Sequence, residues 1–235
     1  MLILGIDEAG RGPVIGPLVI CGVLIRQACL AELIKKGVRD SKSLVSSRRL
    51  KLKKEIELLA QDYELIIISP QQIDKKGLND LELESTVTLI RRFHPHRVYV
   101  DAPTRNCNSY KEKIRGFLSP ETKIELVIEN FADQNYPVVG AASILAKVER
   151  DRRISKLKER YGALGSGYPS DHQTINFLRE YLRQHKGFPP IVRKRWKTLQ
   201  RILQQESSSM QEIYTRIEGL SPKKPYISHL NESSS

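Results

Sequence analysis

Four acidic residues next to short apolar runs are the groups of this chain best placed to do chemistry. Asp7 and Glu8 follow Met1-Leu2-Ile3-Leu4-Gly5-Ile6, Asp101 follows Val98-Tyr99-Val100, and Asp133 stands just ahead of a long helical stretch. Adjacent strand ends in a sheet lie about 5 Å apart, so carboxylates at such ends can converge on one edge. A set of this kind makes a poor hydrophobic core and a good cage for hard cations such as Mg²⁺ or Mn²⁺. Two such ions can activate a water and stabilise the leaving oxygen of a phosphodiester. Taken singly, each acid is equally well explained as part of a solvated turn or as a helix N-terminal charge. Only their convergence points to metal chemistry.

Beside the first pair lies Ala9-Gly10-Arg11-Gly12-Pro13, too rich in Gly and Pro to continue a strand or helix. It is too short for a phosphate loop of the Gly-Lys-Ser/Thr kind. Its glycines can bring bare backbone close to a ribose or phosphate, and such a contact can read a 2′-hydroxyl. Gly165-Ser166-Gly167-Tyr168-Pro169-Ser170-Asp171 is a second loop by composition, with Ser170 or Asp171 capping the helix that follows. Tyr168 there suits a sugar or base as well as it suits packing. Among the five histidines no metal-ligand spacing occurs, and His172 is the one nearest these loops.

The elements that must position these residues alternate between strand and helix patterns. Strands are expected over 1–6, 15–25, 63–68, 97–100 and 123–128, the first two forming an antiparallel hairpin. Helices are expected over 46–61, 80–93 and about 137–161, the last with a buried apolar first half and a charged second half. That order predicts an α/β fold with a mixed central sheet flanked by helices. Residues 1–205 read as one domain including basic C-terminal helices. Residues 206–235 read as a polar, serine-rich tail with a short helix near 210–217 and a disordered end.

Of the 235 residues 40% are hydrophobic, enough for a sizeable core, and 39 Lys and Arg against 27 Asp and Glu give a net charge of +12. A polyanion is therefore the expected partner, nucleic acid ahead of a membrane surface. From Tyr181 to Gln205 there is no acid but seven basic residues: Arg183, Lys186, Arg193, Lys194, Arg195, Lys197 and Arg201. A solvated, salt-bridged face explains that stretch badly. Trp196 inside it reads as a packing anchor. No apolar run reaches the roughly 20 residues of a membrane span. Cys21, Cys29 and Cys107 lack paired zinc spacing and read as reduced thiols, so a cytoplasmic location is expected.

In chain order the motifs resemble ribonuclease HII, the type 2 ribonuclease H family, and look most like its archaeal branch. The matching segments are Gly5 to Pro13, Asp40-Ser41-Lys42, Val100-Asp101, Ala132 to Pro137 running into Ala141 to Lys147, Gly165 to Asp171, and Pro189 to Arg193. The resemblance implies a ribonuclease H-like fold with a C-terminal helical extension. It implies endonucleolytic cleavage of RNA in RNA/DNA hybrids and at single ribonucleotides in duplex DNA, leaving 3′-hydroxyl and 5′-phosphate ends. Ribonucleotide removal and RNA primer processing would be its roles. Asp7, Glu8, Asp101 and Asp133 match the family's catalytic, metal-binding acids, with two Mg²⁺ or Mn²⁺ ions expected. Gly10, Arg11 and Gly12 match the loop that recognises the ribonucleotide, Tyr168 the tyrosine that packs on the adjoining deoxyribose, and Lys42 and Lys147 positions near the phosphates. The extra N-terminal domain of type 3 enzymes has no counterpart before the first strand. A sliding clamp is a family partner, yet no clear copy of its motif follows Arg201, and a monomer is expected. A hybrid-binding protein without cleavage and a branch-cutting nuclease of the same superfamily are the competing readings.

Overall fold

The computed structural model describes residues 1–38, 44–120 and 123–206. In chain order the elements are β1 (Leu2–Ala9), β2 (Leu18–Arg26), α1 (Leu30–Lys35), α2 (Ser46–Leu59), β3 (Asp62–Ile68), α3 (Pro70–Lys76), α4 (Leu78–Phe93), β4 (Arg97–Asp101), α5 (Cys107–Phe117), β5 (Glu125–Glu129), α6 (Ala132–Asn135), α7 (Pro137–Tyr161), α8 (His172–His185) and α9 (Lys197–Gln205). The five strands form one mixed sheet in the order β3-β2-β1-β4-β5. β1 and β2 form the expected antiparallel hairpin, while β4 runs parallel to β1 and β5 parallel to β4. Both faces are covered, so β2 is buried along its length except at Arg26 and reads as a continuous apolar run.

Side-chain alternation along β1 separates two cores. Ile3 and Ala9 pack with Cys21 and the small residues of α7 on one face, whereas Leu4 and Ile6 pack with Leu89, Ile90 and Val100 on the other. α7 lies almost on the sheet because Gly5 offers no side chain: a Cβ there would sit 2.4 Å from the Val138 carbonyl carbon and oxygen. Tyr136 is extended and Pro137 opens α7, where its missing N–H leaves no bond unmade. A third cluster joins Val14 and Ile15 to Ile154, α8 and α9, and forms the helical C-terminal extension.

Several expectations shift. β1 does not stop at the acids; Asp7 and Glu8 lie inside it, paired with Cys21 and Ile20 of β2. β2 in turn starts at Leu18, because Gly16 at φ 88° and Pro17 turn the chain before it. α1, α3 and α5 had no counterpart in the periodicity. Ser69-Pro70, which reads as a strand terminator, opens α3 through a capping box with Gln72. The three cysteines are free thiols. Among the described residues no helix is long and apolar enough to cross a membrane. Of the expected tail only Glu206 is described; the helix near 210–217 lies outside the described residues.

Candidate functional site

β1 delivers two acids, but the pleat sends them to opposite faces of the sheet. Asp7 points toward α7 and is 4% exposed. Beyond the Ile6–Val100 pair, β4 carries Asp101 next to it on the same face. Asp133, buried in the short α6, completes the group from the third side. Burial first, then the charge of Asp101, pushes the Asp7 carboxyl up from 3.8 to about 7, and Asp133 adds to the rise. Against them act the Ser143 hydroxyl and the Glu8 N–H, which donates to Asp7 Oδ1 at 2.7 Å. Asp101 Oδ1 accepts the Ala132 N–H at 3.0 Å, tying the end of β4 to the start of α6. Phe131, just before it, is held at φ 61° in the left-handed region.

Glu8 faces α4 instead. Burial and then the neighbouring Glu82 raise its carboxyl well above the usual range, with Asp7 and Asp101 contributing and Arg11 opposing. Glu82 was not singled out from sequence. It is 1% exposed, with Oε2 bound to the Arg11 guanidinium and Oε1 lacking any hydrogen-bond partner among the described residues. Arg11 also donates to Asn79 Oδ1 at 2.7 Å and stands 3.9 Å from Glu8. A signal existed: Glu82 shares the helix face of Thr86, Leu89, Ile90 and Phe93, where a lone acid needs a partner.

The Gly-rich turn and the tyrosine loop meet. Val14 N–H and Ile15 N–H both donate to the Gly167 carbonyl, at 2.8 and 3.2 Å. Gly10 sits at φ 100°, and a Cβ there would come within 2.6–2.7 Å of Arg150 and of the Pro17 carbonyl. At Gly12 a Cβ would meet only the Tyr168 ring, at 3.7 Å. Tyr168, 37% exposed, therefore lies against the turn at Gly12. Behind the ring lies Arg150, 2% exposed, its guanidinium carbon 5.2 Å from the ring centroid. Burial pushes that guanidinium down, opposed by Tyr168 and Asp151. Asp171 caps α8 and also accepts Ser166 N–H at 2.6 Å, which with its other partners holds it down at about 2.

Other candidates fare differently. Lys147 lies on α7 and is engaged by Asp151, one turn on, which also pairs with Arg49. Lys42 lies outside the described residues. His172 is exposed at the first residue of α8. The acid-free basic stretch is not one substrate-facing surface. Arg193 is 0% exposed and Arg183 pairs with Glu206, leaving Lys186, Lys194, Arg195, Lys197 and Arg201 exposed. Sequence distance hid this, since the acid that pairs with Arg183 comes after the stretch ends.

The donor set suits a hard divalent cation: four carboxylates, all oxygen, with Asp7 and Glu8 holding protons more tightly than exposed acids do. A nearby cation would favour their ionised forms. Among the described residues no three such groups already converge as a metal cage. The pleat turns Asp7 and Glu8 to opposite faces of the sheet.

The model of the ribonuclease HII family matches residues 4–199. This chain belongs to that family. Ribonuclease HII of Pyrococcus abyssi is 46% identical over 206 residues, covering 86% of this chain and 91% of its own length. Ribonuclease HII of Methanocaldococcus jannaschii is 42% identical over 220 residues, 86% of this chain and 95% of the relative. Among solved structures, ribonuclease H2 from Pyrococcus horikoshii OT3 is similar with a TM-score of 0.80 at 39% identity, covering 93% of this chain and 99% of that one. The ribonuclease HII of Archaeoglobus fulgidus, solved in a complex with PCNA, is similar with a TM-score of 0.76 at 40% identity, covering 83% and 95%. The sheet and helices described above are thus a ribonuclease H-like fold, and ribonuclease HII is a metal-dependent endoribonuclease.

Proposed function

We propose that the chain cuts the RNA strand of RNA/DNA hybrids and single ribonucleotides embedded in duplex DNA, leaving 3′-hydroxyl and 5′-phosphate ends. One observation carries this reading: the Gly10–Gly12 turn, which lies against Tyr168, follows directly on buried Asp7, with Asp101 beside it on β4. A ribose at the turn would have its 2′-hydroxyl toward Gly10–Gly12, the adjoining deoxyribose would pack on Tyr168, and the flanking phosphate would lie toward the acids. Asp7, Asp101 and Asp133 would hold metal from the α7 side of the sheet and Glu8 from the α4 side. Two Mg²⁺ or Mn²⁺ ions, when bound, would activate the attacking water and stabilise the leaving oxygen.

The chain's own residues supply position and charge. Glu82 and Asn79 hold Arg11 beside Glu8, so the turn is tied to the acid. Ser143 and the Glu8 N–H fix the Asp7 carboxyl. Exposed Lys194, Arg195 and Lys197 supply positive charge for the duplex backbone. A sliding clamp is proposed as a partner on the strength of the Archaeoglobus fulgidus complex.

The test is cleavage of matched duplexes, all-DNA, RNA/DNA and DNA with one ribonucleotide, in Mg²⁺ or Mn²⁺, with Asp101→Asn as control. Cutting of both ribonucleotide-containing duplexes, lost in the control, is expected. Failure to cut either, or cutting of a branched all-DNA substrate added to the same series instead, refutes the reading.

A further inference from the structure

The Gly10–Gly12 turn is not shaped by its own residues alone. Arg193, 183 residues away in sequence, reaches it with two guanidinium nitrogens and holds Gly16 with the third. Nη2 donates to the Gly10 carbonyl at 2.6 Å, Nη1 to the Arg11 carbonyl at 3.0 Å, and Nε to the Gly16 carbonyl at 3.0 Å. The Trp196 indole N–H donates to the Gly12 carbonyl at 3.0 Å. Three successive carbonyls of the turn are thus drawn to one short segment.

That segment is itself fixed. Arg193 N–H donates to the Val14 carbonyl at 2.9 Å, and Gly16 N–H to the Ile191 carbonyl at 2.8 Å. Buried Asp74 accepts the backbone N–H groups of Lys194 and Arg195, at 2.9 and 3.2 Å. The Arg193 guanidinium carbon lies 4.9 Å from the Trp196 ring centroid, so the two side chains brace each other.

Peptide planarity turns this into a statement about ligand binding. A carbonyl and the N–H of the next residue point in opposite directions. With the Gly10 and Arg11 carbonyls turned toward Arg193, the Arg11 and Gly12 N–H groups are turned away from it. Adjacent N–H groups held on one side of a turn suit an electronegative oxygen. We propose that Arg193 and Trp196 are positioning residues for ribose discrimination: they pin the turn's carbonyls so that the Arg11 and Gly12 N–H groups are held ready for a 2′-hydroxyl oxygen. This rests on the reading of the turn given under the proposed function. A hydroxyl is told from a hydrogen at that position only if the turn cannot relax when the oxygen is missing, and the two side chains prevent that relaxation.

The test uses the full chain and two duplexes that differ at one position, ribonucleotide against 2′-deoxy-2′-fluoro. Trp196→Phe keeps an aromatic ring against Arg193 but removes the indole N–H, along with part of the ring that packs on two cores. It is expected to lower kcat/KM on the ribonucleotide duplex about tenfold, the worth of one hydrogen bond of about 1.4 kcal/mol. The ratio of ribonucleotide to 2′-fluoro rates should fall by a similar factor, with affinity for all-DNA duplex unchanged. Arg193→Lys, which cannot reach all three carbonyls, should lower the ratio further and also the melting temperature. A purely structural role would reduce both rates equally, so a folded Trp196→Phe protein with the wild-type ratio overturns the proposal. A wild-type protein that itself makes no distinction overturns the ribose-reading assignment of the turn, and this proposal with it.

Discussion

Replacing Asp7 by asparagine should stabilise the metal-free protein while abolishing cleavage, and the gain should depend on pH in a defined way. Asp7 is buried beside Asp101, and its carboxyl titrates near 7 in the folded chain against 3.8 ordinarily. The folded state therefore keeps a proton that the unfolded state has released between those two values. Stability falls as pH rises through that window, by about 1.4 kcal/mol per pH unit. The full loss, reached above pH 7, is about 4 kcal/mol. An asparagine side chain carries no charge to desolvate and keeps an oxygen for the Glu8 N–H, so it avoids this cost. Urea unfolding in EDTA should show Asp7→Asn ahead of wild type by up to about 4 kcal/mol at pH 8, about 2 at pH 5.5, and little at pH 4. Added Mg²⁺ should close the gap by stabilising wild type more than the variant. An advantage that is the same at all three pH values, or a variant less stable than wild type at pH 8, refutes the argument.

The two glycines of the turn should separate stability from activity. Gly10→Ala must place a side chain at φ 100° and against Arg150 and Pro17, so a loss of about 1–3 kcal/mol in thermal unfolding is expected. Gly12→Ala meets only Tyr168 at ordinary contact distance. Its melting temperature should match wild type, while a methyl standing between the turn and Tyr168 lowers kcat/KM on a single-ribonucleotide duplex by tenfold or more; wild-type kinetics would show that substrate does not approach the turn there. Glu82→Gln removes the neighbouring charge that, after burial, most raises Glu8. The acidic limb of the pH–rate profile should move to lower pH, and an unchanged or raised limb would show that Glu8 does not sense Glu82.

Much of the scaffold was legible from local pattern. The hairpin follows from two apolar runs around Gly10 to Pro17, and the long helix from Pro137 followed by small apolar residues. All four acids were expected at strand ends or ahead of a helix, and Asp101 and Asp133 stand at or near such places. Short elements escaped because one or two turns of helix give no measurable period, as α1 and α3 show. Local pattern also placed Asp7 and Glu8 side by side on one site, whereas β2 pairing extends the strand through both and sends them to opposite faces.

What the sequence determined by itself was the inventory and its order: the acids, the flexible turn, the tyrosine loop and the excess of positive charge. These depend on residue type and near neighbours, which local sterics and periodicity report. What only the tertiary structure decided was partnership. Glu82 belongs to Arg11 because α4 packs on the face where Glu8 emerges. Arg193 belongs to Gly10 and Arg11 because the C-terminal segment pairs at Ile15 and Val192. A basic residue near the chain's end looks like a ligand for solvent or phosphate until the carbonyls it satisfies are brought to it. Burial of a charge is stable only with such partners, and no local rule can name partners that folding brings from the other end of the chain.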